Sequence, residues 1–375
     1  MRLGISAWRL NGPRFGVARY TEYLVSHWSR QLGRDDSLTL FLHSPLEEKI
    51  PAAGVPINEV VVTPKLTNAF WENLLLPRAS KDLDLLFGPS YTLPLVYKGK
   101  RVVSIHSVNE AEAGNHSLAY KLTYSLKYRM SAKVADRVIV NSQSTKERVV
   151  DYYNIPGDKV DVVWLGTDSA FCPNTAHDAG QQKRDTQLQY LGKEQPFILF
   201  VGTMSQRRNI PMLMKAFSLA KHRHQLPHSL LLVGRNVENL PLADMARQLG
   251  IADSVVHMGG SFASHQGIVP IYNAADLYVL PSESEGFSLT LAEAMSCGVP
   301  VITSSRSSLG EVANNYALTL DEITEETLAA SIAQVLSDTA LQQKLRQSGL
   351  ERAKSLSWEV CAQKTLDILR DVAQR

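Results

Sequence analysis

Short apolar runs alternate along this chain with longer stretches whose apolar residues recur every three or four positions. The runs are LGISAW (3–8), LTLFLH (38–43), LDLLFG (83–88), RVVSIH (101–106), RVIVNS (137–142) and KVDVVWLG (159–166). After a gap come FILFVG (197–202), SLLLVG (229–234), VVHMGG (255–260), DLYVLPS (276–282) and PVITSS (300–305). Near-continuous apolar runs separated by helical periodicity are what a parallel sheet covered on both faces looks like in sequence. The pattern predicts an α/β fold. It breaks between Phe171 and Pro196, where the residues turn polar and aperiodic, the composition of a linker. The predicted division is a first domain over 1–175, a linker over 176–195 and a second domain over 196–355. The remainder, 356–375, is helical, with Trp358, Cys361, Thr365 and Leu369 on one stripe. Two such halves leave a cleft between them, a common place for a small ligand.

Composition changes this picture little. A length of 375 residues suits about two domains, and 44% hydrophobic with 20% charged residues is ordinary for a globular protein. The net charge of +2 gives no global basic field, so no nucleic-acid partner is expected. A local excess runs from Lys121 to Arg148, with Lys121, Lys127, Arg129, Lys133, Arg137, Lys146 and Arg148 against Asp136 and Glu147. Lys121–Val134 reads as a helix burying Leu122, Leu126, Met130 and Val134, with Tyr120, Tyr124 and Tyr128 as a second stripe. Basic charge beside aromatics could lie against anionic lipid headgroups over Lys121 to Arg137, although a solvated face with packed tyrosines is the favoured reading. Cys172, Cys297 and Cys361 are odd in number and lack metal-ligand spacing, which fits a reducing compartment. The first 20 residues hold four arginines and no apolar core of a signal peptide, and no run reaches the ~18 residues of a membrane span. A cytoplasmic protein is expected, with room for contact at the inner face of the plasma membrane.

The most informative stretch is PSESEGFSLTLAEAMSCGVPVITSSRSSLGEV (281–312). A strand ends at Pro281, a polar loop holds Glu283, Glu285 and Gly286, and a helix begins near Ser288 with Glu293 in its second turn. A loop feeding a helix N-terminus presents backbone N–H groups and a positive dipole end, a ready site for a diphosphate. The spacing of Glu285 and Glu293, with Gly286, Phe287 and Ser288 between them and Ala294, Met295, Gly298, Pro300, Val301 and Ile302 behind, resembles the E-x7-E segment of the GT-B glycosyltransferases, family 4 in particular. FILFVGTMSQRRNIPMLMKAF (197–217) is similar to that family's V-G-T-x-x-x-R-K-N segment, with Gly202 at the strand end, Arg207 at the Arg position and Arg208 in place of the Lys. The exchange keeps the charge and permits bidentate phosphate contact. LLLVGRN (230–236) resembles the next strand, with Gly234 letting the backbone approach a nucleotide. GPRFGVARYTEYL (12–24) looks like the glycine-rich first loop, which implies that Gly16 opens helix one close to the donor phosphates and the acceptor, with Arg19 a turn in. His106 stands where the family has a strand-end His that contacts the donor sugar, with Ser107 where an Asp is usual. VNSQSTKERV (140–149) resembles a strand-to-helix turn of the family and is assigned to helix capping.

The resemblance implies two facing Rossmann-like domains, with the terminal helix crossing back to the first. It implies a retaining, metal-independent transfer of a sugar from a nucleotide-sugar, a co-substrate rather than a cofactor, to a glycan or lipid-linked acceptor. Arg207, Arg208 and the helix N-terminus after Gly286 would hold the departing diphosphate, Glu285 and His106 the donor sugar, and Glu293 the ribose. The leaving phosphate would itself take the acceptor proton. Bacterial mannosyltransferases of cell-surface polysaccharide assembly, lipopolysaccharide included, are the nearest in flavour, which makes GDP-mannose the leading donor. Three alternatives stand beside this: a nucleotide-sugar epimerase of the same fold, a non-catalytic binding partner, and a metal-dependent transferase using the D-x-D of Asp82 and Asp84. That D-x-D opens an apolar strand of the repeating pattern, so the structural reading is preferred and no metal is expected. Walker A, G-x-G-x-x-G, G-x-S-x-G and H-E-x-x-H patterns are absent, which removes the standard motif-based rivals.

Overall fold

The computed structural model describes residues 1–12, 16–64, 67–108, 118–259, 262 and 264–375, with the backbone alone for 118–122. The chain divides into two compact units, one made of Met1–Gly166 with Trp358–Arg375 and the other of Thr167–Ser357. The first holds β1 (Arg2–Ser6), β2 (Ser37–Leu42), β3 (Ile57–Val61), β4 (Leu85–Gly88), β5 (Arg101–Ile105), β6 (Arg137–Val140) and β7 (Val160–Val162) in the order β3-β2-β1-β4-β5-β6-β7. The second holds β8 (Phe197–Val201), β9 (Ser229–Val233), β10 (Val255–Met258), β11 (Leu277–Leu280), β12 (Val301–Ser304) and β13 (Leu318–Leu320) in the order β10-β9-β8-β11-β12-β13. The strand pairs in both sheets run parallel, so Ile5 lies between Leu40 and Phe87, and Ile198 between Leu230 and Leu277. Parallel strands require crossovers on the sheet faces, and the helices that supply them bury both sides. That is why the central strands are apolar without alternation: all five residues of β8 and of β9 are buried.

Both sheets share one plan. The chain winds outward from β1 to β2 and β3, then returns to place β4 on the other side of β1. It winds likewise from β8 to β9 and β10, then returns with β11. The strand order therefore reverses between β1 and β4 and between β8 and β11, and the loops leaving those strands diverge to open a crevice at the carboxyl edge.

Helix Val17–Gln31 lays Ala18, Leu24, Val25 and Trp28 against the first sheet, capped at its start by Gly16 (φ +48°). The terminal helix Trp358–Gln374 packs beside it with Trp358, Cys361, Thr365 and Leu369 buried, the expected stripe. Trp358 stacks on Tyr23 at 4.7 Å, and Trp28 Nε1 donates to the Ala362 carbonyl at 2.9 Å. Ser142 Oγ accepts from the Thr145 amide at 3.0 Å, the helix cap expected at that turn.

Two expectations need correction. The segment 176–195 is not a free linker, because it carries helix Ala179–Leu191, packed on helix Val269–Ala274 and tied down by Lys183 Nζ to Asp276 Oδ1 at 2.7 Å. The chain already enters the second unit at Thr167, whose amide donates to the Leu356 carbonyl at 2.9 Å. The inward face of that helix carries polar Thr186 and Gln187, so it leaves no apolar stripe to read. The helix spanning Leu118–Val134 is also turned from its expected face. Leu126 is 62% exposed, while Tyr128, Ser131, Ala132 and Ala135 are buried, and Tyr128 stacks on Tyr91 at 4.9 Å. Two of its cations are engaged within the protein, as is Arg137 on β6: Lys127 Nζ lies 3.0 Å from Glu72 Oε2, Arg129 Nε donates to the Tyr153 carbonyl at 3.1 Å, and Arg137 Nε bonds Asp161 Oδ2 at 2.7 Å. The side chains of Tyr120, Lys121 and Leu122 lie outside the described residues. Among the described residues no helix is long and apolar enough to cross a membrane.

Candidate active site

In the second unit, β8 ends at Val201 and its exit loop carries Gly202, then a 3-10 turn over Gln206–Arg208 and Asn209 in the left-handed region, before helix Ile210–His224. Across the switch point, β11 gives way to the loop Pro281–Ser288 and helix Leu289–Ser296. The two loops are laced together. Asn209 Nδ2 donates to the Pro281 carbonyl at 2.9 Å, the Glu283 amide to the Arg207 carbonyl at 3.0 Å, and Arg207 Nη1 to the Ser284 carbonyl.

Glu285 stands at the centre. Arg208 Nε donates to its Oε1 at 2.9 Å, Arg207 Nη1 lies 3.3 Å from Oε2, and Ser282 Oγ donates to Oε1 at 3.1 Å. Its backbone is clamped as well, the amide donating to Ser307 Oγ at 3.1 Å and the carbonyl accepting from Ser308 Oγ at 2.8 Å. Burial alone would push the Glu285 carboxyl up, but the Arg208 and Arg207 charges, with the bonds from Arg208 and Ser282, outweigh it and hold it below the usual carboxylate range. Two guanidiniums against one carboxylate leave the cluster cationic.

Gly202 makes this geometry possible. At φ +149° its Cβ would stand 1.9 Å from Arg208 Nη1, so only a glycine lets the guanidinium lie against the strand end. Gly234, at φ +142°, has a structural reason to be glycine as well: its Cβ would meet the Gly202 carbonyl oxygen at 1.9 Å. Its role in the structure is close approach of the β8 and β9 exits, which seats Gly202.

Gly286 and Phe287 lead into the helix, with Phe287 buried and Ser288 in the left-handed region at φ +71° as the cap residue. The amides of the first helical turn have no carbonyl partners within the helix. Glu293 sits in the second turn, buried, with Oε1 2.8 Å from His265 Nε2 and Oε2 accepting from Tyr272 OH at 3.0 Å. His265 and Tyr272 were not among the sequence candidates. Tyr272 lies in an apolar segment that reads as core, and nothing in the spacing ties His265 to a helix 28 positions away.

In the first unit, His106 follows the end of β5 at the carboxyl edge. Its Nε2 is 2.9 Å from the Pro89 carbonyl oxygen, which can only accept, so Nε2 carries the hydrogen and Nδ1 is left as an acceptor. Tyr20 and Tyr91 meet the ring edge-on at 4.7 and 5.5 Å, and Asn141 Nδ2 donates to the His106 carbonyl at 3.0 Å. Burial, helped by the charge of Arg9 and opposed by the Pro89 bond, lowers this imidazole to about 4, so it is neutral at physiological pH. Ser107 bonds Tyr91 OH at 3.1 Å. Gly16 stands at the start of its helix, next to residues 13–15 of the first loop, which lie outside the described residues.

Asp84, half of the D-x-D, is engaged by Arg2 through the backbone amide (2.7 Å), Nε (3.1 Å) and Nη2 (2.9 Å). That pairing pulls its carboxyl below the usual range. Among the described residues no three His, Cys, Asp or Glu side chains gather in a group that could hold a metal.

Residues 16–171 match the family model of Glycosyltransferase Family 4, and residues 182–352 that of the Glycosyl transferases group 1. The chain is 28% identical over 375 residues to O-antigen chain mannosyltransferase B of Escherichia coli, covering 95% of this chain and 96% of that one. Sucrose-phosphate synthase from Thermosynechococcus elongatus superposes with a TM-score of 0.76 at 20% identity, over 99% of this chain and 98% of that one. HepE of Anabaena, solved in complex with UDP and glucose, gives 0.76 at 15% identity, over 99% and 100%. Two doubly wound units, a cationic switch-point cluster followed by a helix N-terminus, and matches to both family models in chain order lead to one conclusion: the chain belongs to the GT-B glycosyltransferases of family 4, group 1, and is a glycosyl-transferring enzyme.

Proposed function

We propose that this enzyme transfers a mannosyl group from GDP-mannose to a glycan or lipid-linked acceptor in cell-surface polysaccharide assembly, with retention of the anomeric configuration and without a metal. The carrying observation is the cluster of Arg207, Arg208 and Glu285 at the β8/β11 switch point, ahead of helix Leu289–Ser296. Likeness to a mannosyltransferase over nearly the whole of both chains supports the sugar.

The physical requirement is stabilisation of charge on the departing diphosphate. Two fixed guanidiniums and a helix N-terminus supply it without reorganisation at the moment of reaction. Before the donor arrives, Glu285 neutralises part of that charge. An arriving diphosphate competes for Arg207 and Arg208 and releases the carboxylate to accept from a sugar hydroxyl. Neutral His106 offers Nδ1 as an acceptor to another. The leaving phosphate takes the proton of the acceptor hydroxyl. Glu293 is the acceptor for the ribose hydroxyls.

The first test is thermal stabilisation by GDP, UDP, ADP, dTDP and CDP in excess EDTA. GDP at 100 times its dissociation constant adds about 2.7 kcal/mol to wild type and little to Glu293→Ala; stabilisation by another base alone would overturn the donor assignment. Transfer from GDP-mannose should be lost in Arg208→Ala and Glu285→Ala while both stay folded, and wild-type turnover in either would remove that residue from the mechanism. Consumption of donor with no acceptor present would point to epimerisation instead.

A further inference from the structure

Glu293 is held from two sides. The carboxylate can only accept, so the 2.8 Å contact from His265 Nε2 and the 3.0 Å contact from Tyr272 OH are both donations, one to each oxygen. The two donors come from different pieces of chain, the 3-10 turn His265–Ile268 and the helix Val269–Ala274. Phe171 packs against both, its ring 4.9 Å from His265 and 5.9 Å from Tyr272. Tyr272 is fully buried, and burial together with the neighbouring Glu293 charge keeps its hydroxyl protonated as a donor. Three residues before Glu293, Thr290 is fixed in turn by Tyr278 OH at 2.9 Å.

A glutamate has three side-chain torsions, and a vicinal diol is read best by a carboxylate whose plane is already set. Each Glu293 oxygen spends one lone pair on the protein and keeps another. We propose that His265 and Tyr272 are positioning residues that orient the Glu293 carboxylate for the two hydroxyls of the donor ribose. The proposal rests on the reading of Glu293 as the ribose acceptor. It makes ribose recognition a property of three segments of the second unit rather than of one helix.

The test compares GDP, UDP, ADP and CDP with their 2′-deoxy counterparts by calorimetric titration of the full-length protein, using whichever base binds wild type most tightly. Wild type should prefer the ribonucleotide, and Glu293→Ala should lose the preference. His265→Ala and Tyr272→Phe should each cut that preference by about tenfold, the worth of one hydrogen bond to a charged group, with the deoxynucleotide bound as in wild type. His265→Gln, which keeps a donor at a similar reach, should restore most of it. If either variant weakens both nucleotides equally, the pair only packs the helix and the proposal falls. If Glu293→Ala loses the preference while His265→Ala and Tyr272→Phe keep it, positioning falls and the ribose reading stands. If Glu293→Ala keeps the preference, or none of the four nucleotides binds, the ribose reading falls and takes the proposal with it.

Discussion

Arg208 is placed by residues that the sequence showed and by one contact that it did not. The string V-G-T followed by two arginines marked Gly202, Arg207 and Arg208, and the acid eight residues before Glu293 marked Glu285, because family resemblance preserves letters. That both arginines lie on Glu285, and that Gly202 is empty to admit Arg208, depends on two loops 77 positions apart meeting across a sheet edge. Gly202→Ala should therefore cost about 1–3 kcal/mol for the strained backbone, measured by urea unfolding. It should also weaken nucleoside diphosphate binding, because the Arg208 guanidinium has to give way to the new Cβ. A pH prediction follows from His106. Its folded value near 4 lies below the ordinary 6.5, so between those values the unfolded chain takes up a proton that the folded chain refuses. Stability from this group is complete above 6.5 and is lost as pH falls to about 4, an effect of about 3 kcal/mol. His106→Gln keeps a donor for the Pro89 carbonyl and removes the titration, so wild type should lose that much more stability than the variant over this window.

The strands buried on both faces were the most legible elements. Every central strand showed as an apolar run, whereas β3 and β13 did not. Both lie at a sheet edge, and β3 is exposed or half-exposed along its whole length, as is β13. The other two edge strands, β7 and β10, still showed as the runs 159–166 and 255–260, because their valines keep the apolar pattern at the edge. The helix Ala179–Leu191 escaped because its buried positions are polar. The helix over Leu118–Val134 kept its end but not its face, because Lys127 is drawn inward to buried Glu72 and Tyr128 to Tyr91, leaving Leu126 outside. The terminal helix was the clearest, since Trp358, Cys361, Thr365 and Leu369 repeat cleanly. Trp358 fills the space over Tyr23 with 4% of its surface exposed. Trp358→Ala should destabilise the first unit by about 3–5 kcal/mol, read as a lower urea midpoint.

At the scale of the molecule, the same winding occurs twice, but the two units differ in how the chain builds them. The second is one continuous segment, Thr167–Ser357, with its own sheet and core. The first needs both Met1–Gly166 and Trp358–Arg375, because the terminal helix covers Trp28 and Tyr23. Apart from Gly16 in the first unit, the residues proposed for the nucleotide, Gly202, Arg207, Arg208, Glu285 and Glu293, together with His265 and Tyr272, belong to the continuous segment. A fragment of residues 167–357 is therefore expected to unfold cooperatively and to bind the favoured nucleoside diphosphate within about threefold of the intact chain, a difference of less than 1 kcal/mol. A fragment of residues 1–166 exposes the apolar face of helix Val17–Gln31 and should be aggregated or unfolded, with recovery on adding a peptide of residues 356–375. Transfer activity should be absent from the 167–357 fragment, since His106, the proposed second contact to the donor sugar, lies in the other unit. Loss of nucleotide affinity in a well-folded 167–357 fragment would mean that the first unit supplies binding energy that the geometry of the β8/β11 switch point does not account for.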